Sequence, residues 1–187
     1  NQEFCRNGSW YDDKYSGAKL NMLIADSCGD NNSWCRDSEY HLDLATHALN
    51  KFEKNDEAVG DMYPLSWSNR EVHWKYIEAP NYKGDVKINF MQNASKWWPA
   101  ISVNHLANGI HSIEQLHNGK WLVAERNSDM GQSFILPVAD VSPFQIRITD
   151  ANDNYINDGR IYSFDMPAEC KGKCSAPATP VTYKTTN

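Results

Sequence analysis

With 187 residues, 41% of them hydrophobic and 22% charged, the chain has globular composition and room for one ordinary domain or two small ones. A formal charge of −6, with no dense block of Lys and Arg, argues against nucleic acid or an anionic membrane as partner, because both need a concentrated basic face. No apolar run approaches bilayer-spanning length. The start, Asn1-Gln2-Glu3-Phe4-Cys5, carries no signal-peptide pattern, which fits a trimmed secreted protein and a cytosolic one equally.

In chain order, the apolar-rich run 18–25 leads straight into Asp26-Ser27-Cys28 and predicts a strand ending in a loop. Leu42, Leu44, Ala45, Ala48, Leu49 and Phe52 recur at helical spacing and predict a helix with one buried face. Charge, Gly and Pro over 54–69 predict a loop, and apolar–polar alternation over 72–77 predicts a half-buried strand. After Ala79-Pro80-Asn81 the character changes. Strands are expected at 86–90, 100–103, 110–116, 121–125, 134–137, 144–149 and 160–164, separated by turn signals such as His117-Asn118-Gly119. That cadence predicts a β-sandwich of about a hundred residues. The Pro- and Thr-rich end, 175–187, reads as a tail or linker.

Five cysteines punctuate this pattern. Cys28 and Cys35 bracket a polar loop, and Cys170 and Cys174 close the short ring Cys-Lys-Gly-Lys-Cys. With no His at ligand spacing beside them, disulfides fit better than a tetrahedral zinc site, so no metal or other cofactor is expected. Cys5 is left to a partner outside this sequence or as a free thiol. Sequons at Asn7, Asn31 and Asn93 are compatible with secretion, although so short a pattern often arises by chance.

Two carboxylates and several aromatics are candidates for chemistry. Asp26 reads locally as a turn residue and Asp43 as an N-cap or first-turn acid; lining one groove, they would form an acid pair or grip sugar hydroxyls. In Lys96-Trp97-Trp98-Pro99, adjacent residues of a regular strand face opposite ways, which would bury one ring. The polar Gln92-Asn93-Ala94-Ser95 and Pro99 argue instead for a loop with both rings outward, suited to stacking on a flat polymer. Trp121, which follows a turn and starts a strand, is assigned to the core.

Ala25-Asp26-Ser27-Cys28, Tyr40-His41-Leu42-Asp43-Leu44 and Ala48-Leu49-Asn50-Lys51-Phe52, in that order, resemble the second half of an expansin barrel domain. Residues 72–80 resemble the strand and Ala-Pro hinge that follow it. Ser95-Lys96-Trp97-Trp98-Pro99-Ala100-Ile101, Gly119-Lys120-Trp121 and Arg147-Ile148-Thr149-Asp150 resemble the family's cellulose-binding sandwich. The resemblance spans most of 20–165 and implies a mainly β protein: a six-stranded double-psi barrel followed by an immunoglobulin-like sandwich. The corresponding boundaries are 1–79, 80–169 and a disulfide-closed turn with its tail at 170–187.

It further implies a secreted, extracellular protein that loosens cellulose, another β-glucan or hemicellulose in cell walls without hydrolysis, and so is not an enzyme. By position Asp26 and Asp43 match the groove acids, and Trp97 and Trp98 the first two stacking aromatics. Two departures stand out. The barrel's opening strands would lie before Asn1, which implies a fragment or processed chain. The third stacking aromatic is missing from 127–132, leaving Met130 or Tyr82 as substitutes. Because Cys28 occupies the place of a groove Tyr, Trp34 is the ring expected to line the groove. A purely structural carbohydrate-binding module is the alternative. A barrel-type endoglucanase is a further one, with Asp43 as its acid and its base expected from the missing strands.

Overall fold

The computed structural model describes residues 3–6 (backbone only), 8–24, 33, 36, 40–64, 70–127, 133–170 and 172–187. The chain is mainly β and divides into two compact units, Asn1–Tyr76 and Ile77–Asn187.

In the first unit β1 (Glu3–Arg6) pairs antiparallel with β2 (Ser9–Asp12), and β3 (Glu53–Lys54) with β4 (Glu57–Ala58). The second hairpin turns through Asn55 and Asp56, both at positive φ, as a two-residue loop matched to strand twist requires. An ionic cluster ties separate segments together. Buried Asp13 accepts from Arg70 Nε at 2.6 Å, and Tyr15 donates its hydroxyl to Asp61 at 2.8 Å. Truncating Arg70 would leave the Asp13 charge buried and uncompensated.

Three expectations for this unit are corrected. The described part of 18–25 forms only one isolated bridge, Lys19 to Glu53, and Leu23 and Ile24 are exposed. The helix over 42–52 shrinks to a 3-10 segment, Thr46–Lys51, with no buried residue. Its N-cap is Ala45 with no side-chain cap, so the orphan N–H groups of a longer helix would go unsatisfied. Residues 72–77 form no strand: none of the described residues pairs with them, and Trp74 and Tyr76 pack edge to face while remaining exposed.

The second unit holds two five-stranded antiparallel sheets. Its strands are β5 (Lys87–Met91), β6 (Ala100–Asn104), β7 (Ile110–His117), β8 (Lys120–Val123), β9 (Glu125–Arg126), β10 (Ser133–Ile135), β11 (Phe144–Asp150), β12 (Ile161–Phe164), β13 (Ala178–Pro180) and β14 (Tyr183–Thr186). One sheet has the order β13-β5-β6-β10-β9, the other β14-β12-β11-β7-β8. Alternation dictates the layers: Ile88 and Phe90 on one sheet, and Phe144, Ile146, Ile148, Tyr162 and Phe164 on the other, point into a common core. Phe90 from the first sheet meets Phe144 and Phe164 from the second at ring separations of 5.8 and 5.9 Å. Such edge-on pairs add about 1 kcal/mol each beyond burial.

The end of the chain is not a tail. β13 and β14 each close an edge of a different sheet, and the Val181 N–H between them donates to Ile88 O at 3.0 Å. Pro180 stands in β13, an edge strand, where a missing N–H costs no ladder bond. β13 and β14 thereby pair the backbone groups of β5 and β12 and become the outer strands of their sheets.

Candidate functional site

Between β5 and β6 the chain reverses over Ser95–Lys96–Trp97–Trp98. Ser95 and Trp98 exchange both backbone hydrogen bonds at 3.0 Å, which makes Lys96 and Trp97 the two corner residues. The Ser95 hydroxyl oxygen accepts from the N–H groups of Trp97 and Trp98 at 3.3 and 3.2 Å. A corner side chain has no sheet to pack against, so Trp97 is 69% exposed. Trp98, which closes the turn two residues before β6, is half-buried against the core. The two adjacent indoles therefore part company, one outside and one mostly within.

Lys96 and Asp140 fix the outer ring. Asp140 N–H donates to Lys96 O at 2.7 Å, and its carboxylate receives the Lys96 ammonium at 3.2 Å. The same ammonium lies 4.3 Å from the Trp97 ring centroid, an attraction on the order of 0.5–1 kcal/mol at an exposed site. One face of the indole thus carries a cation, and its orientation is biased before any ligand arrives.

Two devices support the turn from beneath. Cys170 and Cys174 form a disulfide, and both are buried. Gln115, a fully buried polar residue, receives the Val138 N–H at 2.8 Å and donates to Val138 O at 3.1 Å. That pair of bonds secures the segment leading to Asp140.

Tyr82 is half-buried, its hydroxyl is buried without a hydrogen-bond partner, and a Cβ added at Gly84 would stand 3.1 Å from that oxygen. Its ring is folded against the Gly84 backbone rather than presented as a stacking surface. Asp43 is exposed, with its carboxylate 3.7 Å from His41 Nε2, and it is neither the N-cap, which is Ala45, nor in the first turn of the short helix that begins at Thr46. Asn93 is exposed at the mouth of the same turn as Trp97. Asp26, Cys28, Trp34, Cys35, Asn7, Asn31 and Met130, with the side chain of Cys5, lie outside the described residues.

Trp121 is a correction. It pairs with Leu116 across β7 and β8, on the face opposite buried Gln115, and the Arg147 guanidinium lies 4.2 Å from its ring centroid. It belongs to the outer surface of its sheet because register places it one residue out of phase with the core. Arg147 in turn donates Nε to Glu114 at 2.7 Å and lies 4.4 Å from the Tyr155 ring. The signal was present in the sequence: Arg147 and Gln145 alternate with the apolar Phe144, Ile146 and Ile148.

Among the described residues no group of three or more His, Cys, Asp or Glu is arranged to hold a metal ion, and no helix is long and apolar enough to cross a membrane. No protein-family model matches the chain, and no curated protein does. Among solved structures, the chain is similar to an expansin of Clavibacter michiganensis, a point mutant in complex with cellohexaose. The identity is 19% and the TM-score 0.40, and the similarity covers 56% of this chain and 46% of that one.

Proposed function

We propose that this chain is an expansin-like, secreted protein that binds cellulose or a related β-glucan or hemicellulose and loosens it without cutting it. The observation that carries the reading is Trp97: a large indole held out at a hairpin corner, oriented by Lys96 and Asp140, on a unit with a complete core of its own. Leaving such a ring exposed has a cost that sugar stacking offsets, at roughly 1–3 kcal/mol per ring by analogy with base stacking. The ordered motifs described above support the family, and with it a double-psi barrel over 1–79 and an immunoglobulin-like sandwich over 80–169. In that arrangement Asp26, Asp43 and Trp34 line a polysaccharide groove, Trp98 extends the stacking edge, and Asn7, Asn31 and Asn93 are glycan acceptors.

The test is a cellulose pull-down of the Trp97→Ala variant against the parent, with wall-extension assays on both. Weakened binding together with loss of extension supports the reading; cellulose binding at the parent's affinity by the variant removes Trp97 as the ground for it. Reducing sugar released from soluble glucan, and lost in Asp43→Asn, would replace it with a hydrolase. A binding module without loosening activity is the second reading. It is favoured by one observation: among the described residues nearly the whole apolar core lies in the second unit, with only Tyr15 and Met62 buried in the first. Binding without extension by the parent protein would select it.

A further inference from the structure

The outer face of the second sheet carries an arrangement that the Trp97 turn does not use. On β11 the side chains of Phe144, Ile146 and Ile148 enter the core, so Gln145, Arg147 and Thr149 stand on the opposite face. Register places Glu114 beside Arg147, Ser112 beside Thr149, and Trp121 beside Leu116 on that same face. Tyr155 joins it through a bridge to Thr149. Arg147 is the centre: its guanidinium lies 4.2 Å from the Trp121 centroid and 4.4 Å from the Tyr155 centroid.

The chemistry of this group restricts what it can bind. Glu114 accepts the Arg147 Nε–H at 2.7 Å and cancels its charge, so the centre is neutral and does not select for an anion. The terminal nitrogens of Arg147 have no acceptor among the described residues. They present donors between two aromatic rings, of which Tyr155 is 47% exposed. Hydroxyl-rich, uncharged rings with apolar faces answer both features, whereas a phosphate or carboxylate would compete with Glu114 for the same guanidinium. At its far end the face runs from Leu116 and Gln145 into a shallow cleft of about 440 Å³, lined also by His117, Asn118, Ser142 and Pro143. From Gln145 to Thr149 is roughly 14 Å at 3.4 Å per residue, a length that accommodates several sugar units.

We infer that this face is a second saccharide platform, on which Trp121 and Tyr155 flank Arg147 to hold a neutral β-linked glucan. It rests on the proposed ligand class but not on Trp97. The same contacts would also staple β7, β8 and β11 together, and a purely stapling role would change stability without changing binding.

The experiment titrates cellohexaose into the full chain and follows the indole Nε1–H resonances by NMR, with the parent, Trp97→Ala and Tyr155→Ala. The expected result is that Trp121 and Trp97 shift with separate midpoints. Trp97→Ala then leaves the Trp121 response intact, and Tyr155→Ala weakens it by about 5- to 100-fold. Tyr155 is an exposed position, so its replacement leaves the fold testable, whereas Trp121→Ala removes a ring from edge strand β8; a thermal melt checks this. A Trp121 resonance that stays still while Trp97 responds overturns the second platform and leaves the first. Movement of Trp121 alone does the reverse. Silence at both overturns both.

Discussion

Cys174 is bonded through its backbone to the base of the Trp97 turn: its N–H donates to Ala94 O at 2.8 Å, and its carbonyl accepts the Asn93 N–H at 2.8 Å. The disulfide to Cys170 therefore acts as a brace for the hairpin that presents the exposed indole. A loop this short removes little chain entropy from the unfolded state, about 2 kcal/mol in the chain-entropy description.

Replacing both cysteines with serine is expected to lower stability by about that amount and to speed amide exchange at Asn93 and Cys174 more than at the core strands. Cellulose affinity should fall with it, because the turn that aims Trp97 becomes looser. Native-state hydrogen exchange on the parent with and without reductant reads the effect. Unchanged exchange at Asn93 would show that the disulfide and the turn are independent.

The two neighbouring indoles should separate cleanly in mutagenesis. Trp97→Ala removes an exposed ring, so unfolding free energy should hold within about 0.5 kcal/mol while cellulose affinity drops some 5- to 150-fold. Trp98→Ala removes a ring packed on the core, and its main effect should be a stability loss of about 2–3 kcal/mol, below the full cost of a completely buried Trp. Paired urea melts and binding isotherms distinguish them. A large stability loss in Trp97→Ala would contradict its corner position.

How much of this was legible beforehand follows from where the period-2 signal is strong. β5, β6, β7, β10, β11 and β12 lie within a residue or two of their expected places, and the alternation of core and surface residues, as in Ile88 and Phe90 or Ile146 and Ile148, is the reason. The single strand expected at 121–125 is instead split into β8 and β9, which have no buried residue and belong to different sheets. Composition misled at the end of the chain: Pro180 and its threonines suggested a tail, but an edge strand tolerates Pro and favours Thr. In the first unit periodicity misled, since Leu42 to Phe52 carried helical spacing without a cap to start a helix. At the candidate site, the sequence pattern favours a loop with both adjacent Trp rings outward, whereas only Trp97 is exposed and Trp98 packs on the core. The two-residue corner, a property of backbone hydrogen bonding between Ser95 and Trp98, separates them. Trp121 was misplaced for a related reason: one step of register separates the core face from the outer one.

Gln115 links the core to the site at a distance. Its side chain imitates a strand partner for Val138, two residues before Asp140, which anchors Lys96 beside Trp97. Gln115→Leu keeps volume but strands a buried N–H and a carbonyl, so a loss of about 1–3 kcal/mol is expected. Cellulose affinity should also fall by about 2- to 5-fold, the worth of an exposed cation–π contact that is no longer held in place. Gln115→Glu at low pH, with the carboxyl protonated, should restore part of the stability. If Gln115→Leu binds cellulose as the parent does, the path through Asp140 carries nothing.

Alkaline unfolding of the second unit should be governed by two tyrosines near Asp85. Burial first, and the Asp85 carboxylate second, push the Tyr183 phenol from its ordinary value near 10 up to about 12, while its hydroxyl donates to Val86 O at 2.6 Å. Burial also raises Tyr162, whose oxygen accepts from Asn157 at 2.6 Å. A raised native pKa means that the folded protein keeps a proton the unfolded chain releases at about pH 10. The associated stability is fully present below that pH and is lost as pH climbs through about 12, since the unfolded state binds fewer protons throughout the interval. Urea melts across that range should show the unfolding free energy of the parent falling more steeply than that of Tyr183→Phe, which has no phenol to titrate. The residual slope in the variant reports Tyr162. Identical slopes in the two proteins would mean that Tyr183 ionises without being opposed by the fold, and that β14 is less firmly seated on Val86 than its hydrogen bond implies.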